Sequence, residues 1–170
     1  VGPGIIVSII IVGLLFLSPV AALIPVVMGG ISAEISLAAI YLATVEVGHG
    51  GITFLTPTIT ILLMLGLSVD YAVLQLRRTR EERRLGKSVQ DSVAVSVRWA
   101  GQAVLTAGVT VIVAYIIMAL ANVPIFSSVA TAIALGVSIL LAISLTLVPS
   151  IEIALGDKAF WPNRKQSQTR

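Results

Sequence analysis

The sequence predicts an all-α protein, a polytopic bundle of transmembrane helices, and three observations carry that prediction. Of its 170 residues, 57% are hydrophobic and only 11% are charged, where soluble domains carry about 25% charged residues. Its mean hydropathy is +1.05, and a chain this short cannot hide so much apolar surface from water. All 11 Lys and Arg residues follow Leu76, in clusters that flank long apolar runs.

Five apolar spans can be delimited, each needing about 20 residues to cross a hydrocarbon core of about 30 Å. The first covers about residues 4–18, and Ser18-Pro19 turns the chain into a second over about 20–45. Glu46 to Gly51 is a flexible polar loop, rich in glycine. The third span covers about 52–76, with Pro57 tolerated in its first turn. A fourth runs over about 99–121, Asn122-Val123-Pro124 makes a turn, and a fifth runs over about 125–148.

Between the third and fourth spans lies a piece outside the membrane. Arg77 to Arg84 continue the helix, Glu81 and Glu82 can pair with basic residues three or four places away, and Gly86 breaks it. Ser88 to Asp91 fits a capping box at a new helix start. Val89, Val93 and Val97 then recur every four residues, which predicts an interfacial helix over about 88–97. The helix bundle thus occupies residues 1–156 and a basic tail residues 157–170.

Orientation follows from charge. The Arg77–Lys87 loop and the tail lie on one side of the membrane, because the fourth and fifth spans form a hairpin between them. That side is cytoplasmic by the positive-inside rule, so the chain begins outside and ends inside a plasma membrane. Its basic residues can also attract anionic membrane lipids. Val1 is not preceded by Met or by a signal-like region, and the chain reads as a piece of a longer protein. Small residues at Gly29/Ala33, Ser32/Ser36, Gly101/Ala107/Gly108 and Gly136 would let helices approach closely in lipid.

Several functions are excluded by composition. No cysteine is present and His49 is the single histidine, so neither a thiolate nor a His-cluster metal centre is expected. His49 lies in the glycine-rich loop and reads as a solvated residue. The net charge of +3 forms no basic face interleaved with aromatics, which argues against a nucleic-acid partner. Nucleophile-elbow, phosphate-loop, zinc-protease and dinucleotide motifs are all missing, so no catalytic residue and no cofactor is expected. Active transport without a nucleotide site must draw on an ion gradient.

One residue stands out against this background. Asp70, followed by Tyr71, is the only carboxylate of the third span. A charged side chain at membrane depth costs at least about 2.5–3.5 kcal/mol, and intramembrane acids commonly mark ion or proton paths. No Lys or Arg lies in any of the five spans to form a permanent ion pair, which points to a carboxyl group that gains and loses a proton. Adjacent helical residues are separated by about 100°, so Asp70 and Tyr71 can both face the bundle interior. The phenol could donate to the carboxylate or pass a proton onward. Gly66, one turn earlier, leaves room for a neighbouring helix or a water.

Other polar residues are secondary. Glu34, deep in the second span, is either a second protonatable group or a cross-helix hydrogen-bond partner. Thr106 and Thr110, one turn apart, could hydrate a polar path or simply bond their own backbone carbonyls. Glu152 and Trp161 fall at the inner membrane boundary, where acids are tolerated and tryptophan anchors.

The run Gly66-Leu67-Ser68-Val69-Asp70-Tyr71-Ala72-Val73, continuing through Arg77 and Arg80-Glu81-Glu82 to Gly86-Lys87, resembles the signature of the MMPL transporters, a branch of the resistance-nodulation-division (RND) superfamily. Residues Gly101 to Gly108 look like the start of that family's next helix. Leu145 to Pro149 and Phe160-Trp161-Pro162 look like its last helix and exit. Gln75 and Glu34 depart from the pattern. The resemblance implies helices two to six of one transmembrane half, with Asp70 and Tyr71 as half of a proton relay. The partners implied are the other half with a similar pair, an extracytoplasmic porter domain, a lipid or other hydrophobic substrate, and further copies in an oligomer. Protons would be the coupling ion. Two other readings are a SecD/SecF-type translocation accessory, disfavoured by Tyr71, and a sterol-sensing-like module that binds lipid without transport.

Overall fold

The computed structural model of the protein describes residues 19–47, 55–120 and 124–156, and these form four helices. They are α1 (Pro19–Val47), α2 (Leu55–Arg84), α3 (Val89–Leu120) and α4 (Pro124–Leu155). All four are long and apolar enough to cross a membrane, and they correspond to the second to fifth expected spans. The first expected span and the basic tail lie outside the described residues, so the fold is an all-helical bundle in which four spans are seen. The polar loop and the Asn122-Val123-Pro124 turn also lie partly outside them.

Small residues set the packing. Helices α2 and α4 are central: each packs on the other, and each also packs on both α1 and α3. A Cβ placed on Gly29 of α1 would stand 2.5 Å from Ser68 Oγ and 3.1 Å from Leu65 Cα of α2. One on Gly136 of α4 would meet Met64 Sδ at 2.8 Å and Ser36 Oγ at 3.1 Å, where α1, α2 and α4 converge. One on Gly108 of α3 would overlap Leu141 of α4. Lipid tails are as apolar as leucine, so close packing rather than expulsion from water holds such helices together. Met28, Met64, Leu76, Ile133, Val137 and Leu140 fill the spaces between. Ser36 Oγ donates 2.7 Å to the Ala132 carbonyl, tying α1 to α4.

The helix ends follow local chemistry. With 30 residues, α2 is about 45 Å long by its rise per residue, longer than a hydrocarbon core of about 30 Å. Its charged end from Arg77 onward therefore projects beyond the bilayer. Gly86, at φ +85°, supplies the left-handed turn that stops it. Ser88 Oγ then accepts from the Asp91 amide at 3.1 Å, as a helix cap should. The Asp91 carboxylate takes the Ser88 hydroxyl at 2.6 Å. Residues 89–97 are the first turns of α3, which continues unbroken through Arg98 and Trp99 to Leu120. Pro149 lies inside α4; without an N–H it leaves the Leu145 carbonyl short of its helical partner.

Candidate functional site

Asp70 and Tyr71 occupy adjacent positions of α2 but face different surroundings. Tyr71 is 4% exposed and belongs to the apolar core, beside the buried Ala72. Its hydroxyl is buried and has no hydrogen-bond partner among the described residues. Asp70, turned about 100° from it, is exposed on the outer face of the four-helix unit. The carboxylate therefore does not point into the interior of this unit, as adjacency alone allowed. Gly66, one turn earlier, is exposed too, and a Cβ there would meet nothing within 4 Å. With Leu62, also exposed, these residues form an open stripe along α2 at helical spacing, apolar except for one acid.

The accessory candidates are not gathered around Asp70 by any described bond. Glu34 is exposed on α1. Thr106 and Thr110 are exposed on α3 and donate to the carbonyls of Gln102 and Thr106 at 2.8 and 2.9 Å. Both threonines are thus bonded one turn back along their own helix. Among the described residues no group of three His, Cys, Asp or Glu side chains could hold a metal ion.

A second set of polar residues lies inside the bundle, one to two turns from Tyr71 toward the charged end of α2. Gln75, 1% exposed, donates from Nε2 to Ser144 Oγ of α4 at 2.6 Å. The Gln75 carbonyl in turn accepts from Ser96 Oγ of α3 at 2.8 Å. Thr79, one turn further and also 1% exposed, donates to Glu152 Oε2 of α4 at 3.0 Å. Glu152 is 2% exposed, and its Oε1 is buried without a partner among the described residues. The sequence offered one signal for this layer: Tyr71, Gln75 and Thr79 recur at intervals of four, which places them on one face of a helix.

Where α2 ends the layer gives way to charge. Glu82 is buried and pairs with Lys87 Nζ at 2.6 Å and with Arg78 at 2.7 Å. Arg78 also reaches the exposed Glu81 at 3.1 Å. The hydrogen bond from Lys87 holds the Glu82 carboxyl below its ordinary range, assisted by the charges of Lys87 and Arg78 and opposed by partial desolvation.

Apolar helices of membrane-spanning length, packed through glycine and serine around a buried polar layer, define a multi-pass membrane protein. The profile of the MMPL family matches residues 2–170, and the chain belongs to that family. It is 34% identical over 159 residues to the membrane protein YdgH of Bacillus subtilis, covering 92% of this chain and 18% of that one. It is 34% identical over 154 residues to the membrane protein ActII-3 of Streptomyces coelicolor, covering 89% and 21%. It is 31% identical over 144 residues to the mycolic acid-containing lipids exporter MmpL11 of Mycolicibacterium smegmatis, covering 85% and 15%. The chain thus spans about a fifth or less of the length of these relatives.

Proposed function

We propose that this chain is the transmembrane part of a proton-driven exporter of lipids or other hydrophobic molecules, with Asp70 and Tyr71 as its proton relay. One observation carries the proposal. Asp70 is exposed on an otherwise apolar stripe beside Gly66, while the adjacent Tyr71 holds a buried hydroxyl in the core that has no partner among the described residues. A lone acid on a surface that must sit in a membrane needs cover from protein or water. The second transmembrane half of a longer transporter would supply it, bringing a partner group to Asp70. Gly66 keeps the approach open.

A proton taken up by Asp70 would neutralise the acid and allow the facing surfaces to move against one another; its release would restore the charge. The exporter name of the Mycolicibacterium smegmatis relative supports a hydrophobic cargo. A porter domain, further copies and surrounding lipid complete the assembly on this reading. Glu34, Thr106 and Thr110, on exposed faces, are accessory polar groups, and protons are the coupling ion, with no other cofactor.

The test is Asp70→Asn in the full-length protein, reconstituted in vesicles with an imposed pH gradient. Export of a fluorescent hydrophobic probe and proton flux read by an entrapped pH dye are both expected to stop, with insertion and folding unchanged. Undiminished flux in that variant would sink the relay and favour a lipid-binding module.

A further inference from the structure

We infer that Glu152 is a second proton-holding site, the cytoplasmic-side acceptor of the path that begins at Asp70 and Tyr71. The inference rests on the relay reading of that pair. It is carried by a column of buried polar side chains between the two central helices. On α2, Tyr71, Gln75 and Thr79 succeed one another every four residues and are all buried. On α4, Ser144 and Glu152 stand two turns apart on one buried stripe, with Val148 between them. Cross-links at 2.6 Å (Gln75–Ser144) and 3.0 Å (Thr79–Glu152) join the two rows. Tyr71 to Thr79 is eight residues, or about 12 Å along the helix axis.

Among the described residues the carboxyl of Glu152 is not built as a structural ion pair. Arg77 and Arg84 of α2 are exposed, Arg80 lies beside Arg84, and Arg83 donates to the Lys87 carbonyl at 2.8 Å. Arg78 is bound to Glu81 and Glu82, and Lys87 to Glu82. Arg98, the cation of α3, is exposed. No other charged residue belongs to α4. Among the described residues the acid has one hydrogen bond, from Thr79, and one bare buried oxygen. A buried carboxylate in that state leaves half of its acceptor capacity unmet, which is costly in a low-dielectric interior. Taking a proton on Oε1 makes the group neutral and removes most of that cost.

A structural hydrogen bond between helices would need only one of these oxygens, and an amide would serve as well as an acid. Glu152 also stands close to an exit. The helix ends at Leu155, within a turn, and Gly156 follows at φ +52°. The proton step balances with water as the carrier. A proton delivered by water entering the column from the Tyr71 side binds Glu152 Oε1 and neutralises the carboxylate, and the neutral acid later returns that one proton to cytoplasmic water. Gln75 carries no proton in this scheme. Its amide holds Ser144 in place and keeps the column polar.

The experiment uses the full-length protein in lipid vesicles, with proton flux read by an entrapped pH dye and neutral carboxyl groups read by their infrared C=O band. Glu152→Gln preserves shape and hydrogen bonding but cannot accept a proton. It is expected to lower flux on the order of tenfold or more and to delete one titrating carboxyl component, while the component lost in Asp70→Asn persists. Glu152→Asp should recover part of the flux. Thr79→Val keeps the acid and removes its one bond, so it should shift that component's titration even if Glu152→Gln folds poorly. Wild-type flux in Glu152→Gln, or unchanged titration in Thr79→Val, with Asp70→Asn inactive, would overturn the role of Glu152 and leave the relay standing. Wild-type flux in Asp70→Asn would remove the relay itself, and this inference with it.

Discussion

Gln75 shows what a single side chain contributes here. Its amide meets Ser144, 69 residues away, at 2.6 Å while 1% exposed. Replacing it with alanine would strip the buried Ser144 hydroxyl of its donor and leave a gap. Gln75→Ala should therefore destabilise the bundle by about 1–3 kcal/mol, seen as a lower midpoint in denaturing-detergent titration. Asp70 was legible from sequence because an acid in an apolar run is conspicuous wherever the run packs. The Gln75–Ser144 and Thr79–Glu152 bonds were not. They depend on the register of α2 against α4, which no local pattern encodes, and Glu152 looked like an ordinary acid at a membrane boundary.

At the scale of the element, stops and starts were the readable part. Gly86 and the Ser88–Asp91 cap are written in local chemistry and occur where the residues placed them. The run of α3 through residues 89–120 without interruption was harder to see, because a valine repeat of four fits a helix lying on a surface and the first turns of a longer one equally well. The end of α2 also carries a pH response. Lys87 holds the Glu82 carboxyl below its ordinary value of 4.5, so the charged form is favoured by the folded state. The stabilisation is complete above the ordinary value and is lost as pH falls through the lowered one. Protection factors of the Leu85 to Lys87 amides, with the intrinsic pH dependence of exchange divided out, should accordingly fall on acidification through that interval, and Glu82→Gln should abolish that fall.

At the scale of the molecule, glycines separate surfaces that are filled from surfaces that are open. A leucine at Gly136 would collide with Met64 and Ser36 where three helices converge; Gly136→Leu should lower the yield of folded protein, read by size-exclusion chromatography. A Cβ at Gly66 would meet nothing within 4 Å. Gly66→Leu is expected to fold normally and still to lose proton flux, because the side chain occupies the approach to Asp70. A flux-competent Gly66→Leu would show that nothing needs to come near that stripe. The helical bundle as a whole was legible from composition, span length and small-residue spacing. Which faces remain open was not, since exposure depends on how the spans are arranged.

Pro149 gives the central helix a particular mechanical character. It falls between Ser144 and Glu152 and removes one rung of the backbone ladder there. A helix missing such a bond bends more easily at that point than an intact one. The two clasps between α4 and α2 are therefore fastened to segments joined by a compliant joint. Loosening the lower clasp at Thr79 need not disturb the upper one at Gln75, so the cytoplasmic end can yield while the middle of the bundle keeps its shape.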